Sequence, residues 1–291
     1  MHRSPVTGPD RMPAEGDVTR SYPLAGHRLD AAGGSRVGQR YSANFDVLHV
    51  DPALPFLAVA DGMGDGRGST VAGSTTMETL VAEVRATAPQ IGPGQLRAAM
   101  ARAQSRVRAA GAELNELTGC TFTGLVVVPP AGAAVDTGPI PSGRQAAEAS
   151  NPARVAELSG WIVQIGDSRA YRLRDGLLEL LTVDHTAAWL GAVYGWYPAD
   201  SPAAAAARYQ LTRYVGHPAM PEPDLLNVAL RPGDVYCLCT DGVAEQLDYQ
   251  RLASRLGATG SLVETVRGIL ADTLVAGGRD NATVAVLRVE H

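Results

Sequence analysis

The stretch that most constrains the fold is residues 54–69, LPFLAVADGMGDGRGS, where five apolar residues from Phe56 to Ala60 run into a carboxylate and four glycines. An apolar run of that length bounded by glycine is a buried strand. It presents Asp61 at its end, and Gly62, Gly64, Gly66 and Gly68 leave a bare backbone beside it. A carbonyl or amide there meets an ion or a phosphate without steric hindrance. Asp-Gly pairs also mark tight hairpins, and Asp175-Gly176, between YRLR and LLELLT, is expected to be one. After Asp61 the apolar run STVAGSTTMETLVAEV instead describes a loop feeding a helix.

A chain of 291 residues supports a sizeable core, in one large domain or two small ones. Its formal net charge of -5 offers no basic surplus for counterion release, which argues against nucleic acid or an anionic membrane as a main partner. The first thirty residues hold no apolar run, so neither signal peptide nor spanning helix is expected there, and a cytoplasmic location is. The three cysteines, Cys120, Cys237 and Cys239, fit neither a disulfide framework nor a paired metal knuckle. Cys237 and Cys239 share one face of a strand in DVYCLCT and are expected as core thiols.

Along the chain, residues 1–20 are polar, without period, and are expected as a flexible N-terminal tail before a domain spanning 21–291. Short strands follow, with FDVLHV and LPFLAVA joined by a turn at 51–54. A hairpin centred near Ala53 would set Asp46 opposite the end of the strand carrying Asp61. Helices are expected over 69–88 and 94–117, then a strand in CTFTGLVVV. Residues 131–157 turn to Ala, Gly, Pro and Ser without periodicity and are expected as a disordered insertion within the domain, flanked by strands that pair. WIVQIGDSRAYRLRDGLLELLT alternates like a meander. The irregular region 184–216 concentrates Trp189, Tyr194, Trp196 and Tyr197 in a chain with 5% aromatics; it is either a satellite core or a substrate flap. Strands in DLLNVAL, DVYCLCT and NATVAVLRV alternate with helices in YQRLASRL and SLVETVRGILADTLVA. Helices grouped after strands favour α+β over a doubly wound sheet.

Five carboxylates stand where apolar runs begin or end: Asp46, Asp61, Asp167, Asp241 and Asp280. Oxygen donors of this kind suit hard cations such as Mg2+ and Mn2+, whereas the six scattered histidines form no soft-metal pair. A structural cation is the alternative, although no EF-hand loop occurs. GMGDGRGS lacks the Lys-Ser/Thr ending of a nucleotide-binding loop, there is no GxSxG elbow, and no cysteine has a basic neighbour. Metal-assisted hydrolysis of a phosphomonoester is the chemistry left standing.

NFD, VADGMGDGRGSTVA, GCTFTGLVVV, QIGDSRAYRL, LTVDHT, LTRYVG, LRPGDVYCLCTDGV and GGRDNATVAVLRV follow one another from about Ser21 to Val289. In order and spacing they resemble the metal-dependent protein phosphatase (PPM), or phosphatase 2C-like, family of bacterial type. That resemblance implies an α+β fold, an αββα sandwich of two antiparallel sheets flanked by helices. It also implies a centre of two, with room for three, Mn2+ or Mg2+ ions. Asp61 would bridge two metals, the Gly62 carbonyl would join the second, and Asp241 and Asp280 would complete the first. Asp46 would act through water and Asp167 would hold a weaker third ion. Region 184–216 would be the flap that tunes substrate choice. The implied substrates are phosphoserine and phosphothreonine proteins, the products of a cognate serine/threonine kinase. The alternatives are a small phosphomonoester as substrate, or a regulatory relative with weakened catalysis.

Three positions depart from the family pattern. Phe45 replaces the acidic residue or Gln before Asp46, removing a side-chain ligand of the second metal. The phosphate-binding Arg, expected three residues before Asn44, is displaced by Tyr41 to Arg40, and Arg36 is a poorer stand-in. A one-residue slip in a strand reverses the face, so Arg40 requires irregular backbone to serve. Met63 stands where animal members carry a His, as in bacterial members, leaving water to protonate the leaving group.

Overall fold

The computed structural model describes residues 17–88, 90–129, 158–198 and 200–290. Among them, strands β1 (Val18–Leu24), β2 (His27–Arg36), β3 (Asp46–Val50) and β4 (Phe56–Asp61) precede helices α1 (Arg67–Thr87) and α2 (Pro93–Leu114). Strands β5 (Phe122–Val128), β6 (Leu158–Ile165), β7 (Arg169–Arg174) and β8 (Leu177–Leu180) follow, then helices α3 (Ala187–Tyr194) and α4 (Pro202–Ala207). The chain ends through β9 (Asp224–Leu230), β10 (Val235–Cys239), α5 (Asp241–Ala244), α6 (Tyr249–Leu256), α7 (Leu262–Val275) and β11 (Ala282–Glu290).

Two antiparallel sheets form, of order β1-β2-β11-β10-β7-β8 and β3-β4-β5-β6-β9. Leu57, Val59, Leu125, Ile162, Leu238 and Leu287 interlock between them. The opposite face of the five-stranded sheet buries Phe56, Ala58 and Phe122 under Leu80, Met100 and Val107 of α1 and α2. The far face of the six-stranded sheet is covered by Val266, Ile269 and Leu270 of α7 with Leu252 of α6, and there Cys237 and Cys239 lie buried as core thiols. This is an α+β helix-sheet-sheet-helix sandwich, and the alternate residues of a strand such as β4 serve both of its faces.

Local chemistry sets several boundaries. Asp175 and Gly176, with φ of 51° and 79°, close the expected β7–β8 hairpin; Ala25 and Gly26 do the same for β1–β2. Helix α2 stops at Leu114, short of the expected 117, because Asn115 adopts a left-handed conformation (φ 54°) and returns its N–H to Gly111. The strands flanking the expected insertion do pair, β5 with β6; the insertion itself, 131–157, lies outside the described residues. So do residues 1–16 of the expected tail, while Val18, Thr19 and Arg20 already belong to β1, where they pair with Gly33, Ala32 and Ala31.

The meander expected from WIVQIGDSRAYRLRDGLLELLT is divided between the sheets. β6 pairs in the five-stranded sheet, and β7 and β8 in the six-stranded one. The change of sheet occurs at Gly166, whose φ of 105° is open to glycine; a Cβ there would stand 2.6 Å from the Thr121 side chain.

Candidate metal centre and substrate cleft

β3 and β4 pair in the register the hairpin predicts, with Asp46 directly opposite Asp61. Asp241 opens α5 just after β10, Asp280 precedes β11, and Asp167 sits in the crossover between the sheets. All five carboxylates therefore gather at one end of the sandwich, each half-buried. Asp241 is their hub: its charge acts on Asp46, Asp61 and Asp167, and Asp280 acts on it.

Burial and mutual repulsion disfavour ionisation throughout the group. Burial pushes the Asp46 carboxyl up to about 7, opposed by hydroxyls of Thr283 and Thr240 that donate to Oδ2 at 2.7 and 2.9 Å and reinforced by Asp241 and Asp280. Burial also raises Asp241 to about 6, while a hydrogen bond from Asp61 holds it down. Asp61 is raised well above the carboxylate range by burial and by the neighbouring Asp241 and Asp46. Asp167 is raised by burial, Asp241 and Asp184. Asp280 is raised by burial, with the Asn281 amide and Arg40 lowering it.

Close backbone contacts frame these groups. The Gly62 N–H donates to the Phe45 carbonyl at 3.3 Å, and a Cβ on Gly62 would stand 2.8 Å from the Ser69 carbonyl and 2.9 Å from that of Phe45. The Asp61 amide donates to Thr121 Oγ1 at 3.0 Å, and that hydroxyl lies 2.7 Å from Ser168 Oγ, tying the Asp61 strand to the Asp167 crossover. Asn281 Oδ1 accepts from the Gly38 N–H at 3.0 Å and anchors the segment carrying Arg40. Residues 37–45 form no strand, so the backbone around Arg40 is irregular as its displaced position demands. The Arg40 guanidinium lies 5.4 Å from the centre of the Tyr41 ring and acts on Asp280. Arg36 closes β2, exposed. The Met63 carbonyl accepts from Ser69 Oγ at 2.5 Å.

Region 184–216 is built from α3 and α4, and a cavity of about 350 Å3 opens between it and the carboxylates. Asp167, Asp241 and Glu245 line one part, and Trp189, Ala204 and Arg208 another. The aromatic residues divide in role. Trp189 faces the cavity, whereas Tyr194 and Trp196 stack on each other at 5.6 Å and lie exposed. Tyr197 braces the region from within, its ring against Gly191 and its hydroxyl donating to the Ala187 carbonyl at 2.7 Å. Residues not singled out from the sequence complete the site: Thr240 and Thr283 under Asp46, Glu245 in the cavity wall, and Arg169, which makes bonds of 2.9 and 2.7 Å to Asp184. TDG and DNAT contained the two threonines, but nothing in those motifs says which carboxylate they serve.

Among the described residues, no group of three or more His, Cys, Asp or Glu side chains is close enough together to hold an ion by itself. The donor chemistry nevertheless suits Mg2+ or Mn2+, which keep several waters and take few carboxylates each. One oxygen of Asp241, Oδ1, is buried without a hydrogen-bond partner. An unpaired buried carboxylate oxygen at the centre of four like charges is the deficit that a divalent cation relieves. No helix among the described residues is long and apolar enough to cross a membrane.

Comparison with known proteins agrees with this geometry. No protein-family model matches the chain. A putative protein phosphatase 2C-type of Streptococcus pyogenes is 30% identical over 136 residues, 47% of this chain and 55% of the relative, so the chain spans about half the length of that curated relative. The crystal structure of the PPM Ser-Thr phosphatase MsPP from Mycobacterium smegmatis, in complex with cacodylate, superposes with a TM-score of 0.69 at 28% identity, covering 89% of this chain and 97% of that one. The catalytic domain of the serine/threonine phosphatase PstP, solved with two manganese ions, gives a TM-score of 0.70 at 26% identity over 90% and 99% of the two chains. The sandwich with an acidic end is thus of the PPM phosphatase class. In fold and in the segments it shares with them, the chain is similar to bacterial PPM, or 2C-type, serine/threonine phosphatases.

Proposed function

We propose that this protein is a metal-dependent phosphomonoester hydrolase that removes phosphate from phosphoserine and phosphothreonine in proteins. The observation that carries the reading is Asp241, whose unpaired buried oxygen lies at the hub of four further carboxylates within a PPM fold. Asp61, the Gly62 carbonyl, Asp241 and Asp280 would hold two divalent cations, Mn2+ or Mg2+, with Asp46 contributing through water and Asp167 holding a weaker third ion. Such ions, when bound, offset charge on the phosphoryl oxygens and bring the pKa of a nearby water toward neutrality.

The chain's own residues do the rest. Thr240 and Thr283 donate to the same oxygen of Asp46, fixing its orientation and leaving Oδ1 free of them. Gly62 lets its backbone pass between the Ser69 and Phe45 carbonyls, where no side chain fits. Arg40, on irregular backbone beside Asp280, supplies a guanidinium to orient the phosphate. Trp189 and Arg208 offer an apolar face and a cation to the substrate beyond the phosphate. A small phosphomonoester is the second reading, favoured by a cavity near the lower end of the size range for small-ligand sites.

The test is phosphate release from a phosphothreonine peptide, from a panel of phosphorylated metabolites and from p-nitrophenyl phosphate, with Mn2+ or with chelator. Peptide turnover that requires Mn2+ is expected. Turnover confined to metabolites would replace the first reading with the second, and no turnover of any substrate would favour a regulatory relative.

A further inference from the structure

We infer that His185 is a positioning residue that fixes the Asp167 crossover and couples it to both ends of the 184–216 flap. This rests on the metal-site reading above. His185 is buried, 3% exposed, and both ring nitrogens are engaged. Nδ1 accepts from the Gly166 N–H at 3.1 Å, so the ring proton belongs on Nε2, which faces Asp224 Oδ2 at 3.1 Å. Arg213 packs against Nε2 and is paired with the same Asp224 carboxylate at 2.7 and 3.1 Å. Burial lowers the imidazole pKa, which favours the neutral ring that an accepting Nδ1 requires.

The backbone of His185 adds two links: its N–H donates to the Gly166 carbonyl at 2.9 Å and its carbonyl accepts from Thr212 at 2.8 Å. One residue thus joins the start of the flap, its end near Arg213, the head of β9 at Asp224 and the peptide immediately before Asp167. Gly166 holds a φ of 105° in that crossover. Its carbonyl is further held by Gln164 Nε2 at 2.6 Å, whereas its N–H is directed to the imidazole. Thr121 and Ser168 secure the other side of the crossover. Without an acceptor at Nδ1, the Gly166 amide loses its partner in a buried place, and the left-handed Gly166 conformation that aims Asp167 is held from its carbonyl side alone.

Variants at His185 separate positioning from mere packing. In His185→Asn the amide oxygen stands near the place of Nδ1, and in His185→Gln the longer side chain retains reach to Asp224 but not to Gly166. Mn2+ binding to the full chain, followed by calorimetry with melting temperatures measured alongside, is expected to weaken about three- to tenfold in His185→Gln and to stay within about twofold in His185→Asn. In an Asp167→Ala background, His185→Gln is expected to change the isotherm no further. Should His185→Gln not fold, Asp224→Ala, at a half-exposed position, tests the same chain of contacts with a smaller loss of the same site. Equal weakening in the Asn and Gln variants, or a loss that persists without Asp167, overturns the inference. A wild-type chain that binds Mn2+ but hydrolyses nothing fails the proposed function and leaves this inference standing, whereas no Mn2+ binding overturns both.

Discussion

Stripping the metal should make the protein less stable as the pH rises from 5 to 8. Asp46 is raised from 3.8 to about 7 in the folded chain, and at about 1.4 kcal/mol per pKa unit this amounts to about 4 kcal/mol. Asp241, raised from 3.8 to about 6, gives about 3 kcal/mol by the same conversion. The two respond to the same neighbouring charges, so they do not add, and of the roughly 4 kcal/mol about 3 kcal/mol falls between pH 5 and the folded value near 7. Between the unfolded value near 4 and the folded value near 7, the native chain binds more protons than the unfolded one. Stability is therefore present at the acid end and is lost as pH rises through the folded values. Asp51, Asp224 and Asp272 are lowered and act in the opposite sense only below about pH 4, whereas His49 and His185, lowered by burial, return stability as pH rises through the unfolded imidazole range near 6.5 and offset part of the fall. For a domain of this size the effect is about 10 °C in melting temperature. Melting of chelator-treated protein from pH 5 to 8 should fall with pH, and saturating Mn2+ should raise the pH 8 value most and flatten the slope. A metal-free profile that is flat or rising over this range, or one that Mn2+ leaves unmoved, would refute the electrostatic account of the cleft.

Three substitutions extend the account. Asp241→Asn should lower Mn2+-dependent phosphate release by more than about a hundredfold while raising the melting temperature of the metal-free chain, because one repelling charge leaves the cluster; unchanged turnover would count against the hub role of Asp241. Arg40→Ala should raise KM for a phosphopeptide about tenfold with little change in kcat, as expected for a phosphate-orienting cation, and steady-state kinetics will show whether the displaced arginine serves. Trp189→Ala should raise KM for phosphopeptides but leave kcat/KM for p-nitrophenyl phosphate within about twofold, since the small ester does not reach beyond the phosphate; equal losses on both would place Trp189 in the reaction itself.

Much of the cleft was legible in the sequence because hairpin geometry is nearly deterministic. A turn centred near Ala53 is enough to set Asp46 against Asp61, and the structure has that register. Asp241 and Asp280 were visible as carboxylates flanking apolar strands, with glycines allowing backbone to pass close by. The change of sheet at Gly166 was not visible, since Gly-Asp-Ser between two alternating runs looks the same whether the next strand returns to its own sheet or crosses to the other. The divided roles of the flap aromatics were hidden for a related reason. Trp189, Tyr194, Trp196 and Tyr197 are equivalent by composition, and only the path of α3 determines that Tyr197 turns inward against Gly191 while Trp189 meets the cavity. His185 left no signal, because a lone histidine in LTVDHT gains its meaning from Gly166, Arg213 and Asp224, which are brought to it by tertiary contacts.

Anomalous diffraction from crystals grown with Mn2+ addresses the centre itself. Two strong manganese peaks are predicted between Asp61, the Gly62 carbonyl, Asp241 and Asp280, with a weaker third beside Asp167. Manganese absent from this end of the sandwich, with Asp241 Oδ1 still unpaired, would contradict the claim that these carboxylates are gathered to hold divalent cations.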